Sequence, residues 1–246
     1  MNTRKFLNTI KGIAGEAARI PLIKKMLKPI YYPFKRSLIK RYKNEFTKSA
    51  LIALEAFDKC LTENNIKYSL AFGSLLGAVR EKGFIKHDID IDVFIWNEDY
   101  SSNINKVLTS NGFELVHTYT VEDGTLGRED TYRFKGAYID IFYLYGLDDN
   151  FYYCCDFLPI EGTGTSEMSM KKYGKVLPRQ ITLPISKEII RTKFETLELP
   201  IPHNAHDILR YRYGDDYMIP NPSWGIRSYD SHITEWRDKI AIYRSY

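Results

Sequence analysis

Apolar and polar positions along this chain change period once in a short space. From Leu75 to Glu81 the apolar residues follow helical spacing, entered through Gly73-Ser74 and ended before Gly83. A few residues later Ile89, Ile91 and Val93 alternate with Asp88, Asp90 and Asp92, which is the period of a strand with one buried face. Upstream, Leu51, Leu54, Phe57 and Leu61 predict an amphipathic helix over Phe46–Glu63, followed by a short strand over Tyr68–Phe72. Downstream the pattern predicts a helix over Asp99–Ser110 and a strand over Phe113–Tyr119. A polar loop over Val121–Asp130 then leads to strands Thr131–Phe134 and Ala137–Tyr145 on either side of Lys135-Gly136. Beyond Cys155 the periodicity weakens to irregular strands over Leu177–Leu183 and Phe194–Leu199. Pro202 opens a helix over His203–Tyr213, stopped by Gly214, and a closing helix spans Asp230–Tyr243 with Ile233, Trp236, Ile240 and Tyr243 as its apolar edge.

The change of period places two kinds of chemistry side by side. Gly73 lets the backbone approach a ligand, and Ser74 is a good N-cap for the helix after it. Unpaired N–H groups at such a turn, with the helix dipole, favour a phosphate. Three carboxylates on one face of a strand repel one another unless a cation sits among them, and oxygen-only ligands suit Mg²⁺ or Mn²⁺. Alternate strand residues lie about 7 Å apart at Cα, so Asp90 and Asp92 can converge on one ion or a pair. Asp88 and Asp92 are about 13 Å apart along an extended strand, which leaves Asp88 as a substrate-side or supporting group. The alternative is a strand with a solvated acidic edge.

Ala137–Tyr145 adds a third acid, Asp140, to an otherwise apolar strand. A buried carboxylate is costly unless it is paired or holds a metal, and the economical partner is the Asp90/Asp92 pair on a neighbouring strand. Such a triad would hold a cation and take a proton from an attacking hydroxyl. An edge carboxylate satisfied by backbone donors is the other reading.

Composition adds limits. A chain of 246 residues can bury one good core with a small appended segment. Cys60, Cys154 and Cys155 form neither a metal-ligand spacing nor a disulfide framework, which fits a reducing cytoplasm. The five histidines are scattered, and neither a P-loop nor a Ser/His/Asp motif is present. Charge is uneven: residues 1–45 carry 12 Lys/Arg against Glu16 and Glu45, a balance of +10, which leaves −6 for the rest of a chain of net charge +4. That first segment reads as basic amphipathic helical pieces broken near Pro21, Pro29 and Pro33. It would either lie on an anionic membrane surface, at roughly 1 kcal/mol per well-placed Lys/Arg, or pack on the body with a solvated basic face. Its apolar stretches are too short to span a bilayer. Nucleic acid is not an expected partner, since no recognition motif continues into the body. The expected division is a basic segment over 1–45 and a catalytic domain over 46–246, cytoplasmic and peripheral on the inner face of the membrane.

The run Gly73–Arg80 (Gly-Ser-Leu-Leu-Gly-Ala-Val-Arg), then Gly83-Phe84-Ile85, then Asp90-Ile91-Asp92 resembles the signature of the LicD family, the fukutin-type phosphotransferases. Tyr138–Phe142 is similar to a second family stretch, and Ile201–Pro220, with Tyr213-Gly214-Asp215-Asp216-Tyr217-Met218, to a third. The resemblance covers roughly 46–222 and does not extend to the first 45 residues. It implies an α+β, nucleotidyltransferase-like fold: a mixed β-sheet flanked by helices. It also implies transfer of a substituted phosphate, such as phosphocholine or a polyol phosphate, from a CDP-activated donor to a hydroxyl of a cell-surface glycan or lipid-linked precursor, releasing CMP. Carried onto these positions, Asp90 and Asp92 would hold Mg²⁺ or Mn²⁺, and Asp140 would complete the site or act as general base. Gly73 and Ser74 would cradle the pyrophosphate, and Arg80 would offset its charge. The alternatives are a nucleotidyltransferase that uses an NTP and releases pyrophosphate, or a catalytically inactive membrane-surface adaptor.

Overall fold

Ala137–Gly146 is the strand on which the others are assembled, and its burial explains its composition. Every residue from Ala137 to Tyr145 is buried, because the strand is paired on both edges and covered on both faces. In the computed structural model, residues 49–85, 89–100, 103–220 and 232–246 are described, and they belong to one compact unit, Ser49–Tyr246. The expected amphipathic segment 1–45 and the acid Asp88 lie outside the described residues.

In chain order the elements are helix α1 (49–63), strand β1 (Ser69–Leu70), α2 (Phe72–Arg80), β2 (Ile91–Trp96), α3 (Asn103–Ser110), β3 (Glu114–Val121) and β4 (Gly127–Phe134). Then follow β5 (Ala137–Gly146), β6 (Tyr152–Leu158), α4 (Ser166–Tyr173), β7 (Leu177–Leu183), β8 (Ile189–Phe194), β9 (Leu197–Pro202), α5 (Ala205–Tyr213), β10 (Ile233–Glu235) and β11 (Ala241–Ser245). The main sheet runs β10-β7-β6-β5-β4-β3-β11, with β2 parallel to β5 and β1 antiparallel to β2. The Val176 N–H donates to the Ala241 carbonyl at 2.9 Å, so the residue before β7 meets the start of β11 and the sheet curls back on itself. The result is the expected α+β class: a curled, mainly antiparallel sheet with one parallel pair and five helices among the described residues.

Local chemistry explains several boundaries. Lys135 (φ 45°) and Gly136 (φ 90°) both adopt the left-handed region, which is the two-residue hairpin geometry that joins β4 to β5. Thr165 caps α4 by accepting the Met168 N–H on its hydroxyl at 3.1 Å, and Gly174 ends that helix with φ 67°. Gly77 and Gly83 permit a close approach. A Cβ at Gly77 would stand 2.4 Å from the Gly83 carbonyl oxygen, and one at Gly83 would meet the Glu195 carboxylate at 2.1 Å. The α2 C-terminus and the β8–β9 hairpin therefore pack backbone to backbone, with the Glu195 N–H donating to the Lys82 carbonyl at 2.7 Å.

Four expectations change. The strand expected over Phe194–Leu199 is broken by a turn, with one strand ending at Phe194 and the next starting at Leu197. The helix after the Gly73-Ser74 turn begins earlier, at Phe72, with Ala71 as its extended N-cap residue, so Ser74 is inside the helix rather than its cap. The expected polar loop Val121–Asp130 is shorter, because β4 already starts at Gly127. The closing helix over Asp230–Tyr243 is absent from the described part of that range, where β10 pairs with β7 and β11 with β3. Ile233, Trp236, Ile240 and Tyr243 carry helical spacing, but two open sheet edges offer a full set of backbone partners and outweigh it.

Candidate active site

The site grows from one row of residues across the sheet. Asp92 on β2 lies directly opposite Asp140 on β5, Asp140 opposite Thr131 on β4, Thr131 opposite His117 on β3, and His117 opposite Ser245 on β11. Opposed residues share a face, so these five polar side chains form a band on one side of the sheet. Neighbouring strands are about 4.8 Å apart, which brings the Asp92 and Asp140 carboxylates within reach of one ion. The Thr131 hydroxyl donates to Asp140 Oδ1 at 2.5 Å, and its oxygen sits 2.9 Å from His117 Nε2. Since the Thr131 proton is committed to Asp140, the His117 Nε2–H must be the donor in that second bond.

A bulge makes this row. The β3–β4 register slips between Leu115 and His117, so that His117 rather than Val116 faces Thr131. Neither Thr131 nor His117 was singled out by sequence reasoning. Alternation along β4 places Thr131 on one face, but no local pattern marks the bulge that brings the imidazole to it.

The entrance to α2 supplies the other half. Phe72 holds φ 39°, an uncommon conformation for a residue with a side chain, as the chain turns from β1 into the helix. Its ring packs edge-on against Phe94 and Phe142, with centroids 5.1 and 4.9 Å away, one rung along from Asp92 and Asp140. The next residue, Gly73, donates its N–H to Asp92 Oδ2 at 3.3 Å. Ser74 is buried, and its hydroxyl accepts the Asp92 N–H at 3.0 Å. Gly73 and Ser74 thus hold β2 and orient its carboxylate.

The expected site residues fall into three groups. Asp92, Asp140, Gly73 and Ser74 are brought together. Asp90 lies half-buried in a bend immediately before β2, so the strand alternation expected from Asp88 onward starts only at Ile91. Among the described residues no three His, Cys, Asp or Glu side chains are gathered as a metal cluster, so Asp90 does not join Asp92 and Asp140 in a closed triad. Arg80 sits at the opposite end of α2 from Gly73, about 10 Å along the axis. Its Nε donates to Glu81 at 2.9 Å and its Nη1 to the Tyr217 carbonyl at 3.2 Å, tying α2 to the chain after α5.

The donor set fits a hard divalent cation. Mg²⁺ commonly takes one or two protein carboxylates and completes its shell with phosphate oxygens and water, which suits an adjacent carboxylate pair. Two anions side by side on neighbouring strands also gain most from a cation between them.

Comparison with known proteins identifies the family. The family described as "LicD/FKTN/FKRP, nucleotidyltransferase domain" matches residues 65–204, a span holding every element of the polar row except β11. Ribitol-5-phosphate transferase FKTN of Mus musculus is 25% identical over 207 residues, covering 80% of this chain and 41% of that protein. The same-named protein of Homo sapiens is 24% identical over 211 residues. Lipopolysaccharide cholinephosphotransferase LicD of Haemophilus influenzae is 45% identical over 70 residues, covering 28% of this chain and 26% of that protein. The chain therefore spans about two-fifths of the length of its fukutin relatives.

Proposed function

Because the chain belongs to the LicD/FKTN/FKRP nucleotidyltransferase-domain family, we propose that it is a metal-dependent phosphotransferase acting on glycans. It would move a substituted phosphate from a CDP-activated donor to a hydroxyl of a cell-surface glycan or lipid-linked precursor. The observation that carries this reading is the in-register pair Asp92–Asp140 beside the entrance to α2. Relatives named for ribitol phosphate and choline phosphate transfer support the reaction class.

In this reading Asp92 and Asp140 would hold Mg²⁺ or Mn²⁺, with Asp90 outside that pair. The cation supplies charge neutralisation for the donor phosphates. Asp92 is aimed by the Gly73 N–H, and Asp140 by the Thr131 hydroxyl. The acceptor hydroxyl oxygen forms the new P–O bond as the bond to CMP breaks, and its proton passes to Asp140. Phosphoryl transfer is mostly positioning and charge stabilisation, so residues already locked by hydrogen bonds contribute most. Asp88 would stand on the substrate side and Arg80 at the periphery. No helix among the described residues is long and apolar enough to cross a membrane. Residues 1–45 would bring the enzyme to an anionic bilayer on its cytoplasmic face, where lipid-linked acceptors are held.

Incubation with CDP-choline, CDP-ribitol or CDP-glycerol, Mg²⁺ and a glycan acceptor should release CMP, and EDTA should stop it. Pyrophosphate release from an NTP without CMP release from any CDP-alcohol would instead identify a nucleotidyltransferase.

A further inference from the structure

Arg212, near the end of α5, carries a buried guanidinium, two of whose nitrogens lack a hydrogen bond among the described residues. The residue is 5% exposed, and its Nε and Nη1 atoms are buried with no hydrogen-bond partner among the described residues. Its guanidinium carbon lies 5.9 Å from the Phe72 ring centroid and 6.0 Å from that of Tyr213. Two aromatic rings offer some compensation, but much less than an anion would. A buried charge short of partners is among the most costly features a fold can carry, and an anionic ligand would relieve it.

Its location says which ligand. Phe72 covers the Phe94/Phe142 rung, next to the Asp92/Asp140 rung on the same face of the sheet. Arg212, against Phe72, therefore stands on the carboxylate side of the sheet, near the residue that precedes Gly73. A cation here cannot serve the metal, which it would repel. It can serve an oxyanion. The guanidinium fork presents parallel N–H donors matched to two oxygens of a phosphate. Its charge also reaches His232, whose imidazole is held below its ordinary pKa first by burial and then by Arg212.

We propose that Arg212 is an oxyanion-binding residue that takes a phosphate of the activated donor, on the face of the sheet that carries Asp92 and Asp140. The assignment rests on the transferase reading for the identity of the donor. The oxyanion site itself rests on the two unpartnered nitrogens of Arg212 and its place against Phe72.

The test is calorimetric titration of the full chain in Mg²⁺ with inorganic pyrophosphate and, separately, with CDP, alongside thermal melts without ligand. Wild type should bind both probes. Arg212→Gln and Arg212→Leu should weaken both by about tenfold or more, the worth of charged hydrogen bonds, and Arg212→Lys should fall between. Without ligand, Arg212→Leu should melt at or above the wild-type temperature, because it removes an unpaired buried charge. Should Arg212→Leu not fold, Gln and Lys decide through binding alone. Binding of both probes within twofold of wild type in these variants would overturn the proposal. So would wild type binding neither probe. Unchanged pyrophosphate binding in Arg212→Gln, with CMP release intact in wild type, would remove this site and leave the transferase reading standing. Lost pyrophosphate binding in Arg212→Gln, with no CMP release from any donor, would do the reverse.

Discussion

Two buried acids sit on adjacent strands of this sheet and live in opposite chemical worlds. Asp130 on β4 is 1% exposed and Asp140 on β5 is 6% exposed, yet they point to opposite faces. Asp130 is neutralised within the fold: Arg128 Nε donates to both its oxygens at 3.0 and 2.9 Å, and the buried Tyr143 hydroxyl donates at 3.0 Å. Arg128 in turn lies over the Tyr100 ring at 4.6 Å. Burial still pushes the Asp130 carboxyl above the usual carboxylate range, against the pull of Arg128 and Tyr143. Asp140 faces a second carboxylate and a hydroxyl instead. A buried acid matched to an arginine is structural chemistry, whereas one set beside another acid is what the proposed function gives to a cation. Burial alone does not separate them; the neighbour on the next strand does.

The sharpest way to break this contrast is to neutralise each acid in turn. Asp140→Asn, and likewise Asp92→Asn, should reduce CMP release about 10³-fold or more, with urea unfolding close to wild type. An unfolded Asp140→Asn protein would make Asp140 a structural acid like Asp130. Asp130→Ala should do the opposite, costing about 3 kcal/mol in urea unfolding by orphaning the Tyr143 hydroxyl and Arg128, while turnover per folded molecule stays near wild type.

Smaller effects sharpen the same contrast. Thr131→Val should lower kcat about tenfold, because Asp140 loses its orienting hydroxyl, and Thr131→Ser should restore it. A packing role alone would favour Val over Ser, so the order of the two variants decides. The smallest expected change is at His232. Its folded pKa is depressed, so the unfolded chain binds more protons below about pH 6.5, and stability falls as pH drops through the folded value. His232→Gln should flatten that acid slope in thermal melts. In Arg212→Gln, where one cause of the depression is gone, the imidazole pKa followed by NMR should rise.

How much of this was legible in the chain depends on the distance over which each feature is encoded. The Gly73-to-Asp92 stretch was readable because turn, helix and strand are local and adjoin in sequence, and Asp140 because an acid in an apolar strand needs a partner. The roles given to individual residues there shifted once their contacts were visible. Ser74 grips the Asp92 backbone rather than capping a helix, and Arg80 fastens α2 to the residue at Tyr217. Misreading of the described part of Asp230–Tyr243 has a general cause: apolar spacing over a broken segment suits a helix, while the open edges of β7 and β3 were invisible from that segment alone.

By itself the sequence determined the α+β class, the Gly-Ser turn ahead of an acid-bearing strand, and Asp140 as the acid of another apolar strand. Only the tertiary structure decided that a bulge brings His117 to Thr131, that Asp130 is matched to Arg128 while Asp140 faces Asp92, and that Arg212 is buried against Phe72 with its Nε and Nη1 unpartnered among the described residues. Those outcomes depend on register between strands and on which helix lands on which face. Both are set by long-range backbone pairing and burial, for which no single stretch of residues carries the signal.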